Sequence, residues 1–258
     1  MTITRRETLA LGLAGIASMG LGMVMPFAAL AQTGGGDSYE TESGTITIHP
    51  IDHASFVMTT PSMTIYCDPV GEASTYAAHP APDLILITHE HGDHYQAETL
   101  TALVGENTRL VTNPAVHAML PDDLKAKATA IANGESTTVD GMEIEAIPAS
   151  NTTEDRLKYH PKGRDNGYVL AIDGRRVYIA GDTEDIPEMR ALEDIFIAFV
   201  PMNLPFTMDV DQAASAVAEF RPAYVYPYHY RDSDPQAFAD KVAASDAETE
   251  VVMGPWYG

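Results

Sequence analysis

The sequence predicts an α/β domain in which two β-sheets pack together and carry helices on their outer surfaces. Two observations lead there. A block of strand-like runs followed by alternating strands and helices occurs twice in loose outline, and a sheet with helices on one face buries its other face against a second layer. Residues 83–88, Asp-Leu-Ile-Leu-Ile-Thr, form a near-continuous apolar run, the pattern of a strand covered on both sides. The chain of 258 residues is 45% hydrophobic and 20% charged. That balance supports a large core and excludes a disordered chain. No linker interrupts the later sequence, so one large domain is expected rather than two.

The first 31 residues stand apart from this domain. Arg5 and Arg6 precede an apolar, Gly- and Ala-rich run over residues 9–30, which closes on Ala29-Leu30-Ala31. This is the layout of an export signal. The run approaches the roughly 20 residues that span a bilayer, but its glycines, Pro26 and the Ala-x-Ala site predict cleavage and no stable membrane anchor afterwards. The arginine pair resembles the twin-arginine signal, although Glu7-Thr8-Leu9 lacks the aromatic residue common in that motif. A periplasmic or otherwise exported protein is therefore expected, with the export machinery as a passing partner. Residues 32–43 are polar, contain Gly34-Gly35-Gly36 and predict a flexible tether. Residues 44–258 form the predicted domain.

Within it, residues 45–49, 55–60 and 63–68 read as an antiparallel meander. After the apolar strand at 83–88, residues 96–104 have helical spacing, residues 109–112 read as a strand, and Pro114 opens a short helix. Strands are predicted at 142–147, 168–172, 176–180 and 195–200, with Asp173-Gly174 as a hairpin signal. A helix over 209–220 capped by Asp209, a strand at 223–228, a helix at 235–244 and a strand at 250–253 complete the order.

Lys plus Arg total 15 against 37 Asp plus Glu, a formal net charge of -22. Loss of residues 1–31 leaves the protein strongly acidic. Nothing draws such a chain to a phosphate backbone, so nucleic acid is excluded as a partner. Cys67 is the single cysteine. An intramolecular disulfide is impossible, and Cys67 reads as a buried strand residue.

The chemistry lies in His89-Glu90-His91-Gly92-Asp93-His94, directly after the most apolar strand. Imidazole nitrogen and carboxylate oxygen are ligands for zinc and other first-row metals, and no cysteine stands nearby to suggest a structural thiolate site. A sharp turn at Gly92 would let His89 and His91 face one ion while Asp93 and His94 face a second. Asp182 and His229 each close a further predicted strand.

These residues resemble the metallo-β-lactamase superfamily, whose His-x-His-x-Asp-His motif is matched in full by His89, His91, Asp93 and His94. The resemblance covers about the whole mature domain. It implies a four-layer αβ/βα sandwich of two mixed β-sheets with helices on the outer faces, and a dinuclear metal site at one edge. It further implies that Asp182 is the bridging carboxylate, His229 the final histidine and Asp68 the acidic residue near the site. Asp68 is then expected to orient His89 or His91 through the second ring nitrogen. The start His53-Ala54-Ser55-Phe56 resembles the branch containing ascorbate-6-phosphate lactonase and N-acyl-phosphatidylethanolamine phospholipase D. One position departs from the pattern. The family's remaining histidine usually follows the strand that ends here in Ile147-Pro148-Ala149, and Ser150-Asn151 stand there instead. Asn151 through its amide oxygen or His160 from the following loop would fill the place; otherwise the site holds one metal. His53 and Asn151 are expected to line the substrate pocket, while His49, His79 and His117 have no motif context.

The expected function is a metal-dependent hydrolase in which metal-activated water attacks an ester, lactone, amide or phosphodiester. Two zinc ions are the expected cofactors, with manganese or iron as alternatives, and Asp93 or Asp182 would orient the water. Two divalent ions against two carboxylates and a hydroxide leave a local charge of about +1. Global repulsion is screened beyond roughly 10 Å, so a small anionic substrate can bind. Two other readings remain open at this point: a di-iron redox enzyme on the same fold, and a catalytically silent metal-binding or partner-binding protein suggested by Asn151.

Overall fold

A computed structural model describes residues 36–257; the export signal predicted over residues 1–31 lies outside the described residues. The first sheet runs in chain order through β1 (Asp37–Glu40), β2 (Thr45–Asp52), β3 (Ser55–Thr59), β4 (Thr64–Cys67), β5 (Leu84–Ile87), β6 (Arg109–Thr112) and β7 (Ala128–Ala130). Helices α1 (Ala97–Leu103), α2 (Pro114–Met119) and α3 (Asp122–Lys125) connect its later strands. The second sheet is β8 (Ser136–Val139), β9 (Met142–Ala149), β10 (Asp165–Ile172), β11 (Arg175–Ile179), β12 (Ile195–Pro201), β13 (Tyr224–Tyr228) and β14 (Glu250–Val251), again in sequential order. Its helices are α4 (Pro187–Arg190), α5 (Val210–Phe220) and α6 (Pro235–Ala243). In both sheets the first four strands pair antiparallel. The last four pair parallel.

Strand alternation builds the layers. Leu84 and Leu86 of β5 enter the core between the sheets, whereas Ile85 and Ile87 pack with Leu100, Val116 and Leu124 of the first helical layer. Ile197 and Phe199 of β12 face the same inter-sheet core, and Ala198 and Val200 pack with Val217, Phe220 and Phe238 of α5 and α6. Each fully buried Leu, Ile, Val or Phe contributes about 1.5–3 kcal/mol, so both sheets are stabilised from both sides. The result is the four-layer sandwich. A capping box starts α5: Asp209 Oδ1 accepts from Gln212 N at 2.7 Å, and Gln212 Oε1 accepts from Asp209 N at 3.1 Å.

The tether reading is corrected for residues 37–40. They form β1, whose polar sequence hides one buried ring: the Tyr39 hydroxyl meets that of Tyr226 at 2.6 Å, and Tyr226 donates to Asp37 Oδ2 at 2.9 Å. This ties the edge of the first sheet to the second. β7, β8, α3 and α4 are also additions, all short. β8 enters β9 through Asp140-Gly141, with φ of 47° and 90°, the same left-handed dipeptide that turns β10 into β11 at Asp173-Gly174.

Asp68 follows β4, His89 follows β5, Asp182 lies beyond β11 and His229 follows β13. Four of the eight parallel-paired strands, β4, β5, β11 and β13, therefore deliver polar side chains at their carboxyl ends, where an α/β sheet opens its crevice.

Candidate metal centre

The loop after β5 is a tight turn in which His94 N and Tyr95 N both donate to the His91 carbonyl, at 2.9 and 2.8 Å. It is braced from behind through Thr88, whose carbonyl accepts from Asn113 Nδ2 at 2.8 Å and Asn166 N at 3.1 Å. The turn splits its side chains into two sets. His89 Nε2 lies 3.1 Å from His91 Nδ1, and His160 joins them, one nitrogen from each lying within 4.8 Å of the others. On the other side His53, Asp93, His94 and His229 form a group of the same tightness.

Asp182 stands between the two sets. Its Oδ2 lies 3.9 Å from His89 Nε2, 3.4 Å from His160 Nε2 and 3.2 Å from His229 Nε2, and its Oδ1 lies 3.4 Å from His94 Nε2. Gly181 makes this approach possible. Its φ is 65°, and a Cβ there would sit 2.8 Å from the Asn166 carbonyl oxygen. His53, Asp68 and His229 adopt left-handed backbone at φ 52°, 42° and 47°. Such strain costs about 1–3 kcal/mol per residue and persists where surrounding structure enforces it, often at functional sites.

The far side of three of the rings, those of His94, His89 and His160, is fixed. His94 Nδ1 meets Asp68 Oδ2 at 2.7 Å, and the buried Asp68 carboxylate also accepts from Thr88 N at 2.8 Å and Thr88 Oγ1 at 2.6 Å. The expectation that Asp68 orients His89 or His91 is thus corrected to His94. His89 Nδ1 instead meets Thr88 Oγ1 at 3.0 Å. His160 Nδ1 meets Asp165 Oδ2 at 3.0 Å, and Asp165 is held by Arg164, which pairs with Glu90 at 2.9 Å. Carboxylate or hydroxyl partners on the outer nitrogen are the usual supports of metal-binding imidazoles.

Burial, reinforced by His94, His160 and His91, holds the His89 imidazole well below its ordinary value, so it is neutral and ready to ligate. Burial opposes charge on His94 as well, but Asp182 and Asp68 outweigh it and push that imidazole up to about 9. Burial would raise Asp182; His229, His94 and His160 outweigh burial and keep its carboxyl below the ordinary range. The inward atoms test whether a cation fits. His94 Nε2, His160 Nε2, His229 Nε2 and Asp182 Oδ1 are buried and have no hydrogen-bond partner, a costly condition that a shared cation would relieve. The donor set is nitrogen and carboxylate oxygen, which suits a divalent first-row metal.

A cavity of about 480 Å³ opens over these groups, with Tyr159, Phe206, Asn203 and Arg231 in its wall. The chain matches the Lactamase_B_3 family, a beta-lactamase superfamily domain, over residues 47–229. It belongs to the metallo-β-lactamase superfamily. Within that superfamily, the chain is 32% identical over 183 residues to a UPF0173 metal-dependent hydrolase of Pyrococcus abyssi, covering 67% of this chain and 79% of that protein. A crystal structure from Parabacteroides distasonis, assigned as a metal-dependent hydrolase, is 44% identical and superposes with a TM-score of 0.78, covering 86% of this chain and 99% of the other. Igni18, a metallo hydrolase of Ignicoccus hospitalis, is 25% identical with a TM-score of 0.66, over 81% and 95% of the two chains. The protein is accordingly a metal-binding hydrolase of the metallo-β-lactamase superfamily, related to UPF0173 proteins.

His89, His91, Asp93, His94, His160, Asp182 and His229 all converge, and His53 joins them through Asp93, 3.2 Å from its Nε2. His53 does not line the cavity wall as expected, and neither does Asn151. Its Oδ1 accepts from His160 N at 3.0 Å and its Nδ2 donates to the Phe206 carbonyl at 2.8 Å, which uses the amide for loop structure. Thr88, Asp165, Arg164, Arg231 and Tyr257 enter the site's surroundings without a sequence signal, since each is a single residue placed by tertiary closure. Among the described residues no helix is long and apolar enough to cross a membrane.

Proposed function

We propose that this superfamily member cleaves an ester, lactone or phosphodiester bond in a small anionic substrate with two divalent ions, zinc first and manganese or iron as alternatives. The observation that carries the proposal is the Asp182 carboxylate, within 3.9 Å of the Nε2 atoms of His89, His94, His160 and His229. His89, His91 and His160 would share one ion with Asp182, and Asp93, His94 and His229 the other. When bound, such ions polarise the scissile carbonyl or phosphoryl oxygen and bring the pKa of a coordinated water towards roughly 7. The two carboxylates divide the remaining work. Asp93 is 43% exposed and faces the cavity, so it orients the attacking water; Asp182 is 3% exposed and holds the imidazoles apart.

The anionic preference rests on Arg231. Arg156, Arg164, Arg176, Arg190 and Arg221 each pair with a carboxylate. Arg231 has no such partner among the described residues and lies in the cavity wall beside Asn203. Tyr159 and Phe206, edge to face at 4.9 Å, pack the apolar part of the substrate. Lactones and phosphodiesters come first because of the resemblance carried by His53-Ala54-Ser55-Phe56. Asn151 in place of a family histidine is the ground for a silent binding protein, and His160 facing Asp182 from the next loop removes that ground. Export to the periplasm under a signal at residues 1–31 is part of the same proposal, supported by Arg5, Arg6 and the Ala29-Leu30-Ala31 site.

The test is elemental analysis of the purified mature protein, then a screen of lactones, phosphodiesters and amides. Turnover lost on chelation, restored by zinc or manganese and absent from His91→Ala supports the proposal. Turnover that survives complete metal removal overturns it.

A further inference from the structure

Residues 254–257 follow the last strand and reach His53 at the side of the metal centre. Trp256 anchors them: its fully buried ring lies edge-on to Phe56 and Phe199, with centroids at 6.1 and 6.2 Å. Its carbonyl accepts from His53 N at 3.1 Å, and the His53 carbonyl in turn accepts from His229 N at 3.0 Å. Two left-handed residues of the site are thereby locked to the anchored segment. Tyr257 follows. Its Oη lies 2.6 Å from His53 Nδ1 and accepts from Arg231 N at 2.9 Å.

Donor accounting gives the direction of these bonds. An ionised carboxylate only accepts, so the contact between His53 Nε2 and Asp93 Oδ2 at 3.2 Å requires hydrogen on Nε2. The Tyr257 oxygen receives the Arg231 N–H and has one hydrogen to give, and with a neutral His53 ring the 2.6 Å contact directs it to a bare Nδ1. Arg231 N–H, Tyr257 O–H and His53 Nε2–H thus run in one sense and end on Asp93.

We propose that Tyr257 is a positioning residue of the hydrolytic site: it holds His53 in the Nε2–H tautomer, and His53 holds the cavity-facing Asp93 carboxylate. Without that tie the Asp93 carboxylate keeps only the longer 3.6 Å contact with His229 Nε2 on the protein side, and the group that orients water is aimed less well. The effect on turnover rests on the hydrolase reading above; the tautomer does not.

The full chain and its Tyr257→Phe variant are compared, zinc-loaded and metal-free. The variant keeps the ring and its packing against Tyr230 at 4.8 Å, and a thermal midpoint checks the fold. Nitrogen-15 spectra of labelled histidine report the tautomer directly. In the wild type, His53 is expected to show a protonated Nε2 and a hydrogen-bonded, unprotonated Nδ1, and in the variant a mixture of tautomers. Loss of an outer-shell partner typically costs about 10–100-fold; a kcat lower by that factor with little change in KM, and weaker zinc binding, are expected. His53→Gln should lower kcat similarly, and the double variant no further, because the two changes act through one path. An Nδ1-protonated His53 in the wild type overturns the proposal, as do unchanged spectra and kcat in the variant or additive losses in the double variant. If no substrate is turned over at all, the hydrolase reading fails while the spectra and zinc affinity still decide the role of Tyr257.

Discussion

Asn151 and His160 hold each other by two hydrogen bonds: Asn151 N donates to the His160 carbonyl at 2.8 Å, and His160 N donates to Asn151 Oδ1 at 3.0 Å. The residue that stands where a family histidine is expected therefore delivers a histidine from nine positions further along. Replacing Asn151 with Ala leaves His160 N and the Phe206 carbonyl without partners. The expected cost is about 1–3 kcal/mol per buried group left unpaired, together with a metal affinity weakened by roughly 10–100-fold. Urea unfolding and zinc titration measure the two effects. A variant with normal zinc affinity would show that the clasp does not place the imidazole.

Asp68 offers a second test at the opposite wall. Its Oδ2 receives both His94 Nδ1 and the Thr88 hydroxyl, so Asp68→Asn puts an amide where an acceptor is required. Zinc binding is expected to weaken by about 10–100-fold, and Thr88→Val, which leaves Asp68 on His94 but takes the partner from His89 Nδ1, is expected to weaken it as well. Isothermal titration compares the two. Equal affinities in Asp68→Asn and the wild type contradict the assignment of Asp68 to His94.

The histidine loop was legible because four donors stand within six residues after one apolar strand, and chemistry-rich spacing of that kind survives any detail of packing. The two sheets were legible for a similar local reason: the 83–88 run and the Asp173-Gly174 turn carry their own patterns. β1 was not, because Tyr39 is its single buried residue and its reward is a hydroxyl contact with Tyr226, 187 positions away. The partner of Asp68 was hidden in the same way. Sequence places Asp68 near the cluster, but which ring nitrogen it meets depends on how Thr88 turns the chain. Asp165 and Tyr257 act on His160 and His53 through single contacts that no spacing announces.

Metal removal should be visible without any substrate. Four inward atoms, on His94, His160, His229 and Asp182, have no hydrogen-bond partner, so a cation that satisfies them would bind the folded state and not the unfolded one. Saturation at a thousand times the dissociation constant stabilises by about 4 kcal/mol. Dialysis against a chelator is expected to lower the thermal midpoint, and added zinc to raise it progressively with concentration. His91→Ala should flatten that concentration dependence. A midpoint indifferent to chelator and zinc contradicts a cation at this centre.

Glu184, two residues beyond Asp182, links the loops that shape the cavity. Its buried carboxylate accepts from Thr152 N at 2.5 Å and Thr153 N at 2.6 Å, from Thr152 Oγ1 at 3.0 Å and Thr153 Oγ1 at 2.8 Å, and it pairs with Arg156. Arg156 in turn donates to the Thr207 carbonyl at 2.9 Å, beside Phe206. Burial would raise the Glu184 carboxyl, but these hydrogen bonds outweigh it and hold the group below its ordinary value of 4.5. A carboxyl depressed in the folded state contributes its full stabilisation above the unfolded value and loses it as pH falls through the folded one. Glu184→Gln leaves the part-buried Arg156 without its charge partner, and losing this charge-assisted contact costs about 1.5–3 kcal/mol near neutral pH. The stability gap between wild type and variant should therefore be constant above about pH 5.5 and narrow as the solution is acidified past the ordinary carboxylate range. Urea unfolding of the metal-free proteins at a series of pH values measures that gap apart from any loss of metal in acid, and a gap that stays level down to strong acid contradicts an ionised Glu184 as the clamp.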